Sequence, residues 1–516
     1  MSKLFFLPKN NKAVSNYEII QHHDKTASPL VTVVTPVYNN DATIEKTIDS
    51  VLNQTLGEKI EYILVDDGST DKTRSILLEY SKRFANIKLA FLKKNTGTPA
   101  FPRNLGIELA KAPYISFLDA DDWFELSGLE KLYKVLVETN DDYIVGKTVK
   151  IRTDGTTIVG EHESSTERRN VPPITIPHIF HHLGPRARLM KTSIIKDNGL
   201  QFPAMKFAED KQFFMDVLAC CKSISTTKDV IYYLNRQNEN KESLTSRTNV
   251  LYKMKCNQKV IRYFKDKDLD PVIKKMILNR LYEFDCFTGF INRYHTLRSD
   301  SSSVKQKAND YLKRKAYVWT MKKTLRSAND LDYNISDHFF KPVNKVCYQL
   351  FKEGKYKDIE ELTSWSANTK VKEIHFKDGQ AFMVSPLVEP YKYIEVPVHA
   401  ELSDCLAENE HITLHLKTAG ANTAAIHELL FRDRQSAASE FALPASVNEN
   451  GEVILAVPLE WLGSLPKSVY NIYLRYNDYQ KVQLHIPAPI ESLKKHQSNN
   501  YHFYSTVNQN LALKIK

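Results

Sequence analysis

The sequence predicts a Rossmann-like α/β domain, followed by a helical region and a β-sandwich. From Leu30 to about Ile151, short β-branched runs alternate with amphipathic stretches, which is the pattern of β-α units. From about Val250 to Trp365 the chain has many basic residues and few Gly or Pro residues, which favours helices. After that point apolar and polar residues alternate in short runs between turn residues, as in a sandwich.

Four strands and the helices between them justify the α/β assignment. Val31–Thr35 is rich in β-branched residues and ends at Pro36, as a buried parallel strand should. The other strands are predicted over residues 60–65, 87–92 and 114–118. The helices are predicted over residues 42–53, from residue 71 onward, and over 103–111. Such units form a parallel, doubly wound sheet that binds ligands at the carboxyl ends of its strands.

A chain of 516 residues is too long for a single hydrophobic core. We predict an N-terminal arm (1–29), the α/β domain (30–249), a helical linker (250–365), an immunoglobulin-like β-sandwich (366–490) and a polar C-terminal tail (491–516). Whether the tail is ordered is left open.

Composition excludes several classes of protein. No run of about 18 apolar residues exists, so no transmembrane helix is expected. The apolar patch Leu4–Leu7 is too short for a secretory signal, and we expect a cytoplasmic protein. The 6 cysteines form no C-x-x-C pair and are expected to be reduced thiols.

The formal net charge is +10. It fits a mildly basic surface, an anionic polymer as partner, or peripheral contact with the anionic inner face of the plasma membrane. Nucleic acid is not expected, because no basic and aromatic recognition motif occurs.

Carboxylates follow two of the predicted strands. Asp66 and Asp67 close the second strand, and Asp119, Asp121 and Asp122 close the fourth. Acids often end strands or cap helices, which is the simpler explanation for either group alone. Because both groups fall at the same edge of the sheet, they also predict a hard divalent cation, Mn²⁺ or Mg²⁺, that would bridge phosphate groups.

Four motifs together resemble the inverting family-2 glycosyltransferases of the GT-A fold. They are TPVYNN (35–40), VDDGSTD (65–71), NTG…PRN (95–104) and FLDADD (117–122). The likeness covers about Leu30 to Arg247. It implies an enzyme that moves a sugar from a nucleotide donor and inverts the configuration at the anomeric carbon.

The resemblance also implies roles for single residues. Pro36 and Tyr38 are similar to the wall of the family's uridine pocket, and Asp67 to the carboxylate that contacts uracil. Asn95 and Arg103 stand where the family holds the base and the diphosphate.

The same resemblance covers the acids of the reaction centre. Asp119 and Asp121 match the D-x-D motif, in which the first would hold the ribose or a metal-bound water and the second would ligate the metal. Asp122 would support them. Glu209 and Asp210 resemble the family's E-D pair, with Glu209 near the nucleotide sugar and Asp210 as the base that takes the proton of the acceptor hydroxyl. A helix N-cap is the structural alternative for Asp210.

Within this family, the chain looks most like the wall teichoic acid β-N-acetylglucosaminyltransferases that act on poly(ribitol phosphate). The loop 95–104, the segment 188–203 and the order of helical linker and sandwich carry this likeness. It implies UDP-N-acetylglucosamine as donor, an anionic polyol-phosphate polymer as acceptor, and a homo-oligomer, often a trimer, formed through the C-terminal part.

One departure concerns a loop that carries an Arg and a His in the relatives. Arg236 is present, but Gln237–Ser243 has no histidine. Arg236 either holds the diphosphate once the loop closes or is a surface arginine.

Two basic groups have open interpretations. Arg186, Arg188 and Lys191 either face a phosphate-rich acceptor or form a solvated edge. The histidines are expected on loops or the surface rather than at a metal; they are His22, His23, His178, His181 and His182.

Three alternatives accompany the main hypothesis. The same chemistry could serve a capsule or exopolysaccharide repeat unit. A processive synthase or a nucleotidyltransferase is disfavoured, because the sequence lacks Q-x-x-R-W and a Gly-rich loop after the first strand. A non-enzyme alternative is a carbohydrate- or subunit-binding module on an inactive scaffold, with a platform of aromatic residues that are otherwise core: Trp461, Tyr470, Tyr473, Tyr476 and Tyr479.

Overall fold

The computed structural model describes residues 17–22, 28–237, 248–294, 304–408, 410–487, 490, 493 and 500–516. The chain divides into two compact units. The first, here called the α/β unit, comprises Met1–Thr153 and Ile158–Asn249, and the second, the C-terminal unit, comprises Asp154–Thr157 and Val250–Lys516. Within the described ranges, no helix is both long and apolar enough to cross a membrane.

An eleven-stranded mixed sheet forms the centre of the α/β unit. Its strands are β1 (Tyr17–Ile20), β2 (Val31–Val37), β3 (Ile60–Asp66), β4 (Ile87–Leu92), β5 (Tyr114–Phe117), β6 (Trp123–Phe124), β7 (Tyr143–Arg152), β8 (Gly155–Val159), β9 (Arg168–Val171), β10 (Arg188–Lys191) and β11 (Ile224–Asn235). Their order is β1-β4-β3-β2-β5-β10-β7-β11-β6, with β8 paired to β7 and β9 to β11.

The four predicted strands β2 to β5 are parallel neighbours, which confirms the Rossmann-like part of the fold. The sheet as a whole is mixed rather than parallel, because β10 runs antiparallel to both β5 and β7. Every residue of β3 and β4 is buried, as expected for strands covered on both faces.

Helices cover the sheet of the α/β unit. They are α1 (Ile44–Leu52), α2 (Thr73–Arg83), α3 (Ala100–Leu109), α4 (Gly128–Thr139), α5 (Glu161–Ser164), α6 (Thr192–Asp197) and α7 (Glu209–Cys220). Helix α1 buries Ile44, Ile48 and Val51 on one face, at helical spacing. Helix α3 packs closely against β2 at Gly106, where there is no side chain. A Cβ atom at this position would lie 2.2 Å from Cγ1 of Val34. This close approach sets the position of the residues that α3 presents to the site.

The C-terminal unit begins with helices. They are α8 (Val250–Asp266), α9 (Pro271–Arg280), a π-helical turn (Leu281–Thr288), α10 (Gly289–Tyr294), α11 (Val304–Arg326), α12 (Pro342–Glu353) and α13 (Tyr356–Asn368). Asp270 caps α9, since its carboxylate accepts hydrogen bonds from the backbone N–H groups of Val272 and Ile273.

Three further sheets follow the helices. The first contains β12 (Ile374–Lys377), β13 (Gln380–Val384) and β14 (Tyr393–Val396). The second contains β15 (His399–Ala407), β16 (His411–Ala419) and β19 (Glu452–Pro458). The third contains β17 (Ile426–Asp433), β18 (Glu440–Pro444), β20 (Val469–Tyr476), β21 (Gln480–Gln483), β22 (Tyr501–Ser505) and β23 (Leu511–Ile515), and the short helix α14 spans Leu459–Ser464.

The second and third sheets share one hydrophobic core, which confirms the predicted sandwich. Within the range predicted for the sandwich, residues 372–376 and 393–398 lie in the separate three-stranded sheet or at its edge. The predicted tail supplies β22 and β23 of the third sheet. Tyr470 and Tyr476 are buried in the core and Trp461 packs against it. These three aromatic residues therefore stabilise the sandwich instead of forming an exposed platform.

No disulfide joins the six cysteines, all of which lie in the described part of the chain, and all except the half-buried Cys220 are buried.

Candidate active site

The two acidic groups predicted from the sequence lie at the same edge of the α/β sheet. The backbone N–H of Asp67 donates to the carbonyl of Val37 at 2.8 Å, and that of Leu118 donates to Val34 at 3.0 Å. Strand β2 thus lies between the chain that leads to Asp67 and the chain that leads to Asp119. The carboxyl ends of parallel strands meet here, which is where such folds bind ligands.

Asp66 and Asp67 have different environments. Asp66 is fully buried and accepts from Nε of Arg74 at 2.6 Å, so it stabilises the turn after β3. Asp67 is 4% exposed, and its two carboxylate oxygens accept from the N–H and the hydroxyl of Thr96, each at 2.9 Å. Burial raises the pKa of Asp67 to about 6, although the hydrogen bonds from Thr96 oppose the shift. Thr96 fixes this carboxylate, and sequence analysis did not single it out.

The loops around Asp67 are tied to one another. The N–H of Asn39 donates to the hydroxyl of Ser69 at 2.9 Å, next to the exposed Tyr38 and the half-buried Pro36. Gly68 has a φ of +75°, and a Cβ atom there would lie 2.8 Å from the backbone nitrogen of the exposed Asn95. Tyr38, Asp67 and Asn95 therefore occupy one group of connected loops, and Pro36 lies beside them at the end of β2.

Arg103 links the D-x-D segment to the start of α7. Its Nη2 lies 2.7 Å from Oδ1 of Asp119, and its Nη1 lies 3.5 Å from Oε1 of Glu209. Burial alone would lower the pKa of Arg103, but the negative charges of Asp119, Glu209 and Asp210 outweigh it and raise that pKa. The guanidinium is 4% exposed, yet its Nε and Nη1 have no hydrogen-bond acceptor. These buried donors are suited to an anionic ligand.

The three acids of the D-x-D segment separate into two that face solvent and one that does not. The side chains of Asp119 and Asp121 are 33% and 26% exposed, and Nη1 of Arg236 lies 3.7 Å from Oδ2 of Asp121. Asp122 is 1% exposed and accepts from the hydroxyl of Tyr232 at 2.8 Å. Asp122 therefore anchors the segment to β11 and leaves Asp119 and Asp121 for a ligand.

The donor set fits a hard divalent cation. Burial raises the pKa of Asp122 well above its usual range, and the charges of Asp121 and Asp119 raise it further, so negative charge is concentrated here. Among the residues that the structure describes, no group of three or more His, Cys, Asp or Glu side chains is placed to hold a metal ion with protein ligands alone. Mg²⁺-type sites commonly use one or two carboxylates and complete their ligand shell with substrate phosphates and water. Asp119 and Asp121 match that arrangement.

Helix α7 begins at the predicted acid pair. The residue before it, Ala208, has a φ of +73°, a left-handed conformation that is uncommon for alanine. Glu209 is 8% exposed, and burial followed by the charge of Asp210 raises its pKa to about 7, against the opposing effect of Arg103. Asp210 is half-buried, and its Oδ1 accepts from the backbone N–H of Lys211 at 2.6 Å. Asp210 lies inside the first turn, so it is not the N-cap residue.

Helix α3 fastens the segment that precedes α7. The side-chain amide of Asn104 donates to the carbonyl of Phe202 at 2.9 Å and accepts from the N–H of Phe202 at 2.8 Å. The hydroxyl of Thr98 donates to the carbonyl of Met205 at 2.7 Å. Asn104 was part of a recognised motif, but its partner could not be predicted because it is distant in sequence.

A cluster of positive charge lies beside the D-x-D segment. Arg236 follows β11, and its N–H donates to the carbonyl of Ile151 at 2.9 Å, which places it next to Arg152. Burial lowers the pKa of Lys150, and the nearby charges of Arg152, Arg186 and Arg236 lower it further. These four cations form what we call the basic cluster.

Arg188 does not face an acceptor or solvent, so both interpretations of it were wrong. Its guanidinium is fully buried and bonds both carboxylate oxygens of Glu163, at 2.9 and 2.7 Å. Residue type alone does not reveal burial of an arginine whose partner lies on a different element. Lys191 pairs with Asp142 at 3.1 Å, and only Arg186 of this group belongs to the basic cluster.

The histidines of residues 178–182 contact one another and the nearby His162. Ring centroids of His178 and His181 are 4.8 Å apart, and those of His162 and His182 are 5.9 Å apart. His178 and His181 are half-buried, whereas His182 and His22 are exposed. His23 and the predicted loop beyond Gln237 lie outside the described residues.

Known proteins with similar sequences are glycosyltransferases. The model of the family described as glycosyl transferase family 2 matches residues 32–199. A poly(ribitol-phosphate) beta-glucosyltransferase of Bacillus spizizenii is 35% identical over 207 residues, which are 39% of this chain and 32% of that protein. The poly(ribitol-phosphate) beta-N-acetylglucosaminyltransferase TarP of Staphylococcus aureus is 34% identical over 40% of this chain and 62% of its own length. An uncharacterized glycosyltransferase of Haemophilus influenzae is 32% identical over 37% of this chain and 72% of its own length.

Solved structures show the same fold. The crystal structure of TarS from S. aureus has a TM-score of 0.54 and 17% identity, over 94% of this chain and 85% of that chain. Residues 1–349 of TarS in complex with UDP-GlcNAc give 0.55 and 20%, over 71% of this chain and 99% of that one. The matched segments span only about a third to two thirds of the length of the first two sequence relatives. On its sequence motifs, its sheet and these similarities, the chain belongs to glycosyl transferase family 2.

Proposed function

We propose that this chain is an inverting glycosyltransferase that moves N-acetylglucosamine from UDP-N-acetylglucosamine, in β linkage, onto a polyol-phosphate cell-wall polymer such as wall teichoic acid. The observation that carries the proposal is the position of Arg103. This buried cation contacts Asp119 of the D-x-D segment and Glu209 at the start of α7, so one residue connects the proposed donor site with the proposed base.

The nucleotide would bind to the connected loops at the sheet edge. Pro36 and Tyr38 would contact uridine, and the buried carboxylate of Asp67 would accept a hydrogen bond from uracil while Thr96 holds it in place. Asn95 lies on the adjoining loop. The unfilled donors of Arg103 would bind the diphosphate, because buried N–H groups need acceptors and phosphate oxygens supply them. Arg236 would take part in the same contact.

Asp121, with Asp119 beside it, would hold Mn²⁺ or Mg²⁺. When bound, the ion would neutralise charge on the departing diphosphate. Asp122, buried and bonded to Tyr232, would keep this segment in place.

Asp210 would act as the general base. It would take the proton from an acceptor hydroxyl while that oxygen forms a bond to the anomeric carbon and UDP leaves from the opposite side. A single displacement of this kind converts an α-linked donor into a β-linked product. Glu209 is less suited to the role, since it is 8% exposed, pairs with Arg103 and has a pKa of about 7.

The basic cluster supports a phosphate-rich acceptor. Lys150, Arg152, Arg186 and Arg236 concentrate positive charge next to Asp121. Phosphate groups spaced along a polymer would be attracted to such a surface. Two sequence relatives are poly(ribitol-phosphate) glycosyltransferases, and this agrees with a phosphate-rich acceptor. From the same resemblance we propose a homo-oligomer in solution.

The test measures UDP release with a panel of nucleotide sugars, with Mn²⁺ or with a chelator, in the presence and absence of poly(ribitol phosphate). Wild type is compared with Asp121→Ala and with Asp268→Asn, a matched control at an exposed acid of the C-terminal unit. We expect UDP release from one donor, lost in Asp121→Ala and on chelation but retained in the control. Turnover only with a lipid-linked saccharide would favour the capsule or exopolysaccharide alternative. No release from any donor would favour a binding module.

A further inference from the structure

Helix α11 of the C-terminal unit exposes large apolar side chains. Trp319 is 65% exposed, Leu312 is 64% exposed and Tyr311 is 57% exposed. Isolated exposed apolar residues are common on soluble proteins, but three such side chains within nine positions of one helix form a patch.

The three side chains point away from the body of the unit. Tyr317, Met321 and Thr324 of the same helix are at most 2% exposed, so their face packs inward. Helical spacing places Leu312 and Trp319 on the opposite face, because they are seven residues apart and each is about half a turn from the buried set. We call this exposed face, over residues 311–326, the outer ridge.

Positive charge surrounds the outer ridge. The helix has a single acidic residue, Asp310, which is 7% exposed and accepts from Gln306 at 2.9 Å. Its cations are Lys305, Lys307, Lys313, Arg314, Lys315, Lys322, Lys323 and Arg326. Arg314 pairs with Glu360 at the side of the helix. Lys315 lies 4.7 Å from the ring of Tyr311 and Lys323 lies 5.8 Å from that of Trp319, so aromatic and cationic groups are interleaved.

The positive charge and the exposed apolar side chains of the outer ridge together favour one kind of partner. A second copy of this ridge would repel the first, because both would carry the same excess of positive charge. A soluble anionic polymer would satisfy the lysines but would leave Leu312 and Trp319 in water. An anionic bilayer satisfies both, since its headgroups attract Lys and Arg while Trp, Tyr and Leu enter the boundary between headgroups and acyl chains.

We propose that the outer ridge of α11 binds the surface of an anionic phospholipid bilayer, with the helix lying in the plane of the membrane. The helix of 23 residues is about 35 Å long and offers its whole exposed face for this contact. The inference does not depend on the proposed catalytic function, because no residue of the outer ridge belongs to the candidate active site.

The experiment is flotation of the full chain with vesicles of phosphatidylcholine alone or with about a third phosphatidylglycerol. A triple variant, Lys315→Gln with Lys322→Gln and Lys323→Gln, is compared with a matched control, Lys377→Gln with Lys417→Gln and Lys467→Gln. The control lysines are exposed residues of the β-strand region. Trp emission is followed in wild type and in Trp319→Phe, and urea unfolding without vesicles shows whether each variant is folded.

We expect binding to the anionic vesicles only, weakened about 100-fold in the ridge triple variant, since each cation near such a surface contributes about a fivefold factor. The control triple variant should bind like wild type. The blue shift of Trp emission on vesicle binding should be largely lost in Trp319→Phe. Equal binding by both triple variants would overturn the proposal, and so would binding to poly(ribitol phosphate) but not to vesicles. Self-association that Trp319→Ser abolishes would assign the ridge to a second copy instead.

Discussion

Asn104 offers a test of how the proposed base is positioned. Its side chain makes two hydrogen bonds to the backbone of Phe202, at 2.9 and 2.8 Å, and so fastens the segment that leads to Asp210. In Asn104→Ala both backbone groups lose their partner. At about 0.5–1.5 kcal/mol for each bond, the variant should be destabilised by about 1–3 kcal/mol. The half-buried position favours the lower end, because water can replace part of the contact.

The effect on transfer should exceed the effect on stability. A displacement of about 1 Å between reacting groups costs on the order of 100-fold in rate, so we expect kcat of Asn104→Ala to fall by about 10- to 100-fold. The KM for the donor should change little, since the connected loops around Asp67 are not involved. Steady-state kinetics on the folded variant measure both quantities.

Asn86→Ala is the matched control. Its amide also donates to a backbone carbonyl, that of Ile60 at 3.1 Å, but it lies at the opposite end of the strands from the site. A kcat for Asn104→Ala that equals that of Asn86→Ala would refute the positioning role.

Three further predictions concern charge. Asp67 has a pKa of about 6, against about 3.9 in the unfolded chain, so the stability associated with its proton is fully present below about pH 3.9 and is lost as pH rises from there through 6. Urea unfolding should show the stability of Asp67→Asn gaining about 2 kcal/mol relative to wild type as pH rises from about 4.5 to about 7. Parallel pH curves for the two proteins would contradict the raised pKa, and the affinity of Asp67→Asn for the donor should be lower. Glu163→Gln leaves the fully buried Arg188 without its counter-charge and should lower the free energy of unfolding by about 3–5 kcal/mol in the same assay. A decrease below about 1 kcal/mol would contradict the importance of the buried ion pair. The double variant Lys150→Gln with Arg152→Gln should raise the KM for poly(ribitol phosphate) about tenfold and make that KM less dependent on salt. Its effect on the KM for the donor should be smaller. An unchanged salt dependence would show that the basic cluster does not bind the acceptor.

The periodicity of apolar residues in the sequence predicted the strands and helices that depend on neighbouring residues. The β-α alternation over residues 30–118 produced four parallel strands in the predicted places. The antiparallel strand β10 was missed, because it has four residues and its partners β5 and β7 are distant in sequence. The sandwich was predicted from its period of two, but the joining of β22 and β23 to it depends on pairing that periodicity does not encode.

The candidate site likewise contains residues that the sequence predicted and residues that it did not. The residues assigned through motifs, such as Asp67, Asp119 and Asp210, lie at the sheet edge or in the segment tied to it. The groups that hold them, Thr96 and Asn104, were missed as such because a threonine in a polar loop and an asparagine on a helix have many possible partners. The burial of Arg188 was missed because its counter-charge, Glu163, belongs to a different element. Tertiary contacts determine these roles.

The most direct test of the proposed mechanism compares Asp210→Asn with Glu209→Gln in single-turnover transfer of N-acetylglucosamine to poly(ribitol phosphate), together with the Kd of each variant for the donor. The proposed base predicts that Asp210→Asn lowers the rate of transfer by about 100- to 10,000-fold while its donor Kd stays near that of wild type. Glu209→Gln should lose less in rate and more in donor affinity, because Glu209 pairs with Arg103. A rate for Asp210→Asn within about threefold of wild type would contradict the assignment of the base.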